Sequence, residues 1–186
     1  MAIDDLIQDA TRRMHKSVEA AQAEFGTLRT GRASTALLDR IQIDYYGQTT
    51  PLKQLATVNS PEPRMLTVQP FDPNSVSAIE RAILESDLGL TPSNDGKIIR
   101  LPIPQLTEER RKDLVKVVRQ RAEDGRVAVR NVRRDVMHHL KELVNKGDVA
   151  ADEEHRAEER VQKLTDEHVH KVDELLKRKE AEILEV

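Results

Sequence analysis

The fold is decided by a proline-free stretch, residues 107–147, which reads TEERRKDLVKVVRQRAEDGRVAVRNVRRDVMHHLKELVNKG. Mostly apolar residues spaced by three and four positions form one stripe, or seam, along this stretch: Leu114, Val118, Gly125, Val129, Val132, Val136, Leu140 and Leu143. Arg121 or Ala122 fills the longer interval between Val118 and Gly125. This spacing is typical of an amphipathic helix. Thr107 before two acids suits an N-cap, and Lys146 followed by Gly147 suits a helix C-terminus. The stretch therefore predicts one helix about 60 Å long.

Proline marks where this helical character is interrupted. All eight prolines and three of the four aromatic residues lie between residues 31 and 104. Because proline costs about 3 kcal/mol inside a helix, its absence elsewhere permits long helices in residues 1–30 and 105–186. Seams also run through the two other segments: Ile3, Ile7, Ala10, Met14, Val18, Ala21, Phe25 and Leu28 in the first, and Val161, Leu164, His168, Val172, Leu175 and Ile183 in the last.

Three helices with one seam each predict an elongated three-helix bundle. Two alternatives exist for such a charged, aromatic-poor chain. One is disorder, which the regular periodicity disfavours. The other is an oligomeric coiled coil, which the same seams allow, although a short turn at Gly147 favours an antiparallel return within one chain.

Residues 31–104 predict a small β/α/β domain inserted into the bundle. Strand candidates and one short helix alternate along it: strands at 41–47, 55–58, 65–68 and 98–101, and a helix at 73–87. The predicted fold class is therefore α+β, with the bundle formed by residues 1–30 and 105–186. The insert joins its host twice, at residues 30–31 and 102–105. Thr30-Gly31 in one connection and Pro104-Gln105 in the other predict a short hinge made of two chain segments.

The composition excludes several classes of protein. The chain has no cysteine, which excludes disulfides, thiolate metal sites and a cysteine nucleophile. It has no phosphate loop, dinucleotide fingerprint or nucleophile elbow. The His-x-x-x-Glu spacings at His138 and His170 are expected by chance in a sequence this rich in glutamate. No apolar run reaches the roughly 18 residues of a membrane span, and the acidic start is unlike a signal peptide. We therefore expect a cytoplasmic protein that is not an enzyme and has no cofactor or metal.

The net charge of -3 conceals two opposed segments. Residues 105–146 carry 12 basic and 7 acidic residues, a net +5, whereas residues 147–186 carry 7 and 13, a net -6. On a helical projection, the second helix gathers its basic residues on one flank, interrupted only by Glu123: Lys112, Lys116, Arg119, Arg126, Arg130, Arg133, Arg134 and Lys141. Its acids gather on the other flank: Asp113, Asp124, Asp135 and Glu142.

This basic flank allows two interpretations. Guanidinium groups bind phosphates in bidentate geometry, so the flank predicts contact with a phosphate backbone. Alternatively, the flank pairs with the acidic third helix inside the bundle. Because aromatic stacking platforms are scarce, structured RNA or a duplex is favoured over a single strand.

Five short motifs follow one another along nearly the whole chain. They are RTGRA at residues 29–33, YYG at 45–47, SDLGL at 86–90, LTEERR at 106–111 and VRNVRR at 129–134. Together they resemble the ribosome recycling factor (ribosome-releasing factor) family. The resemblance implies a three-helix bundle and a β/α/β domain set at a steep angle, an L shaped like a transfer RNA.

The resemblance also implies a function and partners. A monomer would bind the large (50S) subunit of the post-termination ribosome, and its 23S rRNA, across the A and P sites. Elongation factor G with GTP would then split the ribosome into subunits and free the mRNA. Family arginines that contact rRNA match Arg111, Arg130 and Arg133 here, and the basic flank adds three more: Arg119, Arg126 and Arg134.

The expected mechanism is mechanical. The bundle binds RNA, and the hinge lets the inserted domain rotate when elongation factor G pushes on it. The alternative from another class is a homodimeric coiled-coil adaptor that does not bind RNA and whose insert recruits another protein. An RNA-modifying enzyme is disfavoured because the sequence has no catalytic site chemistry.

Overall fold

The structure is a computed structural model that describes residues 2–185. Its elements follow the chain in this order: α1 (Ile3–Gly26), β1 (Gln42–Tyr45), β2 (Gln48–Pro51), α2 (Leu52–Leu55), β3 (Ala56–Glu62), β4 (Met65–Pro70), α3 (Val76–Glu85), β5 (Ser93–Asn94), β6 (Ile99–Pro102), α4 (Glu108–Asn145) and α5 (Ala151–Leu184). Two 3₁₀ turns, Thr35–Leu38 and Pro73–Ser75, complete the chain's regular structure within the described residues.

The described residues form two compact units. The helical unit comprises residues 2–25 and 115–181, and the sheet unit comprises residues 26–114 and 182–185. The last turn of α5 and the first turns of α4 thus belong with the sheet. The domain limits predicted from the prolines, 1–30 with 105–186 and 31–104, stay a prediction.

The helical unit buries most of the seam positions that the sequence predicts, and Ile3, Leu143, Leu164 and Leu175 are only partly buried. The fully or nearly fully buried apolar residues are Leu6, Ile7, Ala10, Met14, Val18, Ala21 and Phe25 on α1, Val118, Ala122, Val129, Val132, Val136 and Leu140 on α4, and Ala157, Val161 and Val172 on α5. The gap in the α4 seam is filled by Ala122 and not by Arg121, which is exposed. On α5 the seam also buries Thr165 and His168, whose side chains hydrogen-bond to the backbone carbonyls of Val161 and Leu164.

Cross-helix contacts define the helix directions. Arg119, Arg126 and Arg133 on α4 contact partners of descending number on α5: Glu180, Asp173 and Gln162. The two helices are therefore antiparallel, as the Gly147 turn predicts. The three helices approach one another closely at Gly125, because a Cβ built there would lie 3.2 Å from Ala21 Cβ on α1 and 3.5 Å from Val172 Cγ1 on α5.

Both predicted ends of α4 are confirmed. Thr107 Oγ1 accepts a hydrogen bond of 3.1 Å from the Arg110 backbone N–H, which satisfies one of the unpaired donors at the helix start. At the other end, Gly147 has a φ of +82°. Its N–H donates to the Val144 carbonyl at 3.0 Å, and the Asp148 N–H donates to the Leu143 carbonyl at 2.9 Å. Glycine suits this left-handed position because it has no Cβ to strain.

The sheet unit holds a four-stranded antiparallel sheet and a separate hairpin. The sheet order is β3-β4-β6-β5, and among the described strands β1 pairs only with β2. α3 shares a hydrophobic core with the sheet, to which it contributes Val76, Ile79 and Ile83. The central strands β4 and β6 alternate strictly between buried and more exposed residues, which is the pattern of a sheet with one face packed.

Several elements of this unit differ from the sequence prediction. The strand predicted at 55–58 begins at Ala56 and continues to Glu62, because residues 52–55 form one helical turn. The helix predicted at 73–87 begins as a 3₁₀ turn and is α-helical only over Val76–Glu85. β2 and β5 were not predicted, since their residues are mostly exposed and show no alternation of apolar side chains.

Candidate nucleic-acid interface

Two arginines of the basic flank bind acids of α5. Arg119 Nε donates to Glu180 Oε1 at 2.7 Å, and Arg126 Nε donates to Asp173 Oδ1 at 2.7 Å. Arg126 also donates to Glu123 at 3.1 Å, and only 20% of its side chain is exposed. Burial opposes the charge of Arg126, but the hydrogen bonds to Asp173 and Glu123 outweigh it and raise its pKa. These two residues therefore pair with the third helix, and their part in RNA binding stays a prediction.

Three further arginines lie one to two turns beyond Arg126 on α4, and their guanidinium groups are less engaged by carboxylates. Arg130 Nη1 lies 3.6 Å from Glu123 Oε1, and 43% of its side chain is exposed. Arg133 donates to the neutral amide oxygen of Gln162 at 3.2 Å, so its charge is not neutralised by that contact. Arg134 is exposed, and within residues 2–185 no carboxylate lies at ion-pairing distance from it. These three residues, Arg130, Arg133 and Arg134, are called the arginine cluster below.

The acidic flank of α4 has a structural role on the opposite side. Asp135 Oδ2 accepts from Arg13 Nη2 of α1 at 2.7 Å, and this hydrogen bond lowers the pKa of Asp135. Arg121 of α4 pairs with Glu24 of α1. Asp135 thus links the acidic flank to α1, but α1 also pairs with a cation of α4, Arg121, so the signs on α4 are not sorted simply by the helix that each side contacts.

Arg111 lies in the sheet unit, apart in sequence from the arginine cluster. Its side chain is half-buried, and its Nε is buried without a hydrogen-bond partner among the described residues. It lines a cavity of about 240 Å³ together with predicted hinge residues and charged side chains: Thr30, Gly31, Gln105, Arg32, Arg64, Glu182 and Glu185. The structure thus does not bring Arg111 together with the arginine cluster in one compact unit.

Three of the four predicted hinge residues, Thr30, Gly31 and Gln105, line this cavity. Thr30 is buried, and its hydroxyl donates to Glu182 Oε2 at 2.8 Å. Gly31 has a φ of +81°, and a Cβ there would lie 3.3 Å from Leu106 Cγ, so the two connections run side by side. Pro104 is exposed. Sequence reasoning missed Glu182, because no local pattern links two residues 152 positions apart.

The histidines and acids of residues 2–185 do not have the geometry of a metal site. Across residues 2–185, no group of three or more His, Asp or Glu side chains is placed to hold a metal ion. His138 and His170 contact Glu142 and Glu174 one turn away, at 3.2 Å each. In the same residues, no helix is both long and apolar enough to cross a bilayer.

Comparison with known proteins decides the family. The family model for ribosome recycling factor matches residues 21–184. The chain belongs to the ribosome recycling factor family. The ribosome-recycling factor of Rubrobacter xylanophilus is 56% identical over 180 residues, which cover 97% of each chain. That of Carboxydothermus hydrogenoformans is 51% identical over 184 residues, which cover 99% of this chain and 100% of the relative.

Solved structures of ribosome recycling factor have the same fold. A solution structure matches with a TM-score of 0.80 at 43% identity and covers 100% of this chain and 99% of that one. A second match has a TM-score of 0.72 at 50% identity and covers 100% of both chains. It is described as T. thermophilus ribosome recycling factor and E. coli elongation factor G bound to the E. coli post-termination complex.

The family confirms two predictions from the sequence and does not support one alternative. The fold class is α+β, a helical bundle with a small sheet domain. Ribosome recycling factors are non-enzymatic translation factors, so the expectation that the chain is not an enzyme is confirmed. The alternative of a homodimeric coiled-coil adaptor is not supported, and the seams of α1, α4 and α5 are buried within a single chain.

Proposed function

We propose that this chain recycles ribosomes after termination. It binds the 50S subunit of the post-termination complex across the A and P sites and, with elongation factor G and GTP, splits the ribosome and frees the mRNA. The observation that carries this proposal is the full-length match to a recycling factor described as bound, with elongation factor G, to the post-termination complex. The site of action would be the cytoplasm, where ribosomes work, and the chain would act as a monomer without a cofactor.

The arginine cluster is the part of α4 best suited to bind 23S rRNA. Within residues 2–185, no carboxylate lies at ion-pairing distance from Arg133 or Arg134, although Arg134 interacts electrostatically with the neighbouring Asp135. Arg130 shares Glu123 with Arg126. Guanidinium groups that are partly exposed and held on a long helix can meet phosphates without first breaking strong internal ion pairs. Arg119 and Arg126 would have to release Glu180 and Asp173 before they could contribute. Arg111 would contribute separately, from the sheet unit.

Charge reversal at Arg133 tests this assignment. Arg133→Glu should abolish co-sedimentation with 50S subunits at moderate salt, while the far-UV circular dichroism spectrum stays unchanged. Each lost phosphate contact should also lower the slope of log K against log salt by about 1. Lys163→Glu is the matched control, because Lys163 is an exposed cation on α5 outside the cluster. Wild-type binding by Arg133→Glu would rule out the cluster as the RNA-binding surface.

We further propose that Thr30-Gly31 and Pro104-Gln105 form a hinge used during splitting. The side-by-side connections at Gly31 and Leu106 support this, since only two short segments would need to change conformation. The chain has no cysteine, so a pair introduced between position 30 or 31 and position 105 or 106 would form the only disulfide. The locked form should bind 50S subunits normally but split ribosomes slowly, and reduction should restore the rate. Full splitting activity in the oxidised form would exclude hinge motion.

A further inference from the structure

The tip of the β1–β2 hairpin is formed by a strained tyrosine. Tyr45 pairs with Gln48, so Tyr46 and Gly47 form a two-residue turn. Both have positive φ, +50° and +81°, as a type I′ turn requires. Glycine and asparagine adopt this conformation readily, whereas other side chains are strained in it. Within residues 2–185, Tyr46 is the sole residue other than glycine with a positive φ.

The aromatic ring of Tyr46 is also exposed to solvent, whereas such rings are usually buried. Tyr46 is 78% exposed, more than any other large apolar residue that the structure describes. The chain has only four aromatic residues, and one of them is thus placed in solvent at the end of a hairpin. Neither the backbone conformation nor the burial of Tyr46 favours folding. Residues that are strained and exposed in this way are concentrated at binding sites.

The exposed ring is nevertheless held in a defined position. It packs edge-on against Tyr45, with ring centroids 4.6 Å apart and planes at 73°. Tyr45 Oη donates to Asp72 Oδ2 at 2.9 Å, and this hydrogen bond raises the pKa of Tyr45. Asp72 is itself fixed, because its Oδ1 accepts from the Asn74 backbone N–H at 2.9 Å. A side chain held in advance loses less conformational entropy when it binds.

The charges around the ring indicate what kind of partner it fits. Residues 42–51 include the exposed Asp44 and no lysine, arginine or histidine. Asp72 supplies a second carboxylate beside Tyr45. Carboxylates repel phosphates, so stacking on a nucleotide is disfavoured at this tip. A rigid aromatic side chain next to acids is instead suited to a protein pocket that has basic side chains at its rim.

We propose that Tyr46 anchors a protein-docking surface at the hairpin tip. Its partner is a protein component of the post-termination complex, and Tyr46 enters an apolar pocket on that protein that has lysine or arginine at its rim. The setting rests on the proposed function, whereas the surface itself rests on the strain, exposure and bracing of Tyr46.

A pair of substitutions separates docking from folding. Tyr46→Asn keeps the turn, since asparagine tolerates positive φ, and should leave the thermal midpoint unchanged or raise it. It should nevertheless raise the concentration of factor needed for half-maximal splitting of post-termination ribosomes by at least about tenfold, the size typical of a lost hot spot. Tyr46→Phe keeps the ring and should behave as wild type. Leu84→Gln, which removes another exposed apolar side chain of the same unit, is the control and should also behave as wild type.

A photo-cross-linking amino acid at position 46 identifies the occupant. Irradiation of the variant on post-termination ribosomes with elongation factor G and GTP should give an adduct with a protein. An adduct with rRNA alone, or no adduct, would overturn the proposal, as would wild-type concentration dependence in Tyr46→Asn. The activity of the wild-type chain in the same splitting assay distinguishes a failure of the proposed function from a failure of the docking surface. If the wild-type chain does not split ribosomes, the proposed function fails; if it does and Tyr46→Asn splits equally well, the docking surface fails.

Discussion

Gly125 should decide how closely the three long helices can pack. It is buried in α4, and a Cβ there would lie 3.2 Å from the Cβ of Ala21, which is fixed to the backbone of α1 and cannot rotate away. Val172 Cγ1 on α5 would be at 3.5 Å, an ordinary van der Waals contact. The substitution Gly125→Ala therefore sets a gain in helix propensity against crowding with a single atom.

The two effects have comparable sizes. Alanine is favoured over glycine in a helix interior by about 1 kcal/mol. Overpacking a close-packed core costs about 1–3 kcal/mol, because the helices must move apart by a few tenths of an ångström. Gly125→Ala should therefore lower the free energy of unfolding by about 0–2 kcal/mol. In an Ala21→Gly background the crowded atom is gone, and the same substitution should raise the free energy of unfolding by about 1 kcal/mol.

A double-mutant cycle measures this reversal. Urea unfolding of the four proteins, followed by circular dichroism at 222 nm, should give a coupling energy of about 1–3 kcal/mol between positions 21 and 125. Thermal midpoints should follow by about 2–4 °C per kcal/mol for a chain of 186 residues. Equal effects of Gly125→Ala in both backgrounds would refute the close approach of α1 and α4 at this point.

Three further outcomes are expected. The pKa of Asp95 is lowered to about 2 by the backbone N–H groups of Ile98 and Lys97 and by Arg100. Its contribution to stability should therefore be complete above about pH 4 and lost as the pH falls towards 2. Asp95→Asn should flatten the pH dependence of urea unfolding in that window. Arg126→Gln should lower the free energy of unfolding by about 1–2 kcal/mol in urea titrations, whereas the same change at exposed Arg134 should have no effect. Leu140→Ala should cost about 2–5 kcal/mol in the same titrations, because the side chain is fully buried.

The bundle could be predicted because its information is local. The α4 seam, the Thr107 cap and the Gly147 ending all repeat or act within one or two helical turns, and the structure places them as the sequence predicts. The sheet unit was predicted less well. β2 and β5 exist only because a neighbouring strand offers hydrogen bonds to exposed residues, and no periodicity within their own sequence marks them.

The candidate site shows the same division. The sequence placed Arg126 and Arg133 on one basic flank, but it could not show that one binds a carboxylate and the other an amide. That distinction depends on which α5 side chain lies opposite, which is set by the antiparallel register of two helices. The contact between Thr30 and Glu182 depends on tertiary structure in the same way.

We propose that this chain splits post-termination ribosomes together with elongation factor G and GTP. Light scattering of purified post-termination complexes tests it most directly, because the signal falls as 70S particles separate into subunits. We predict a rapid fall when the chain, elongation factor G and GTP are all present, and no fall when any one of them is omitted. An equal rate of splitting with and without the chain would contradict the account.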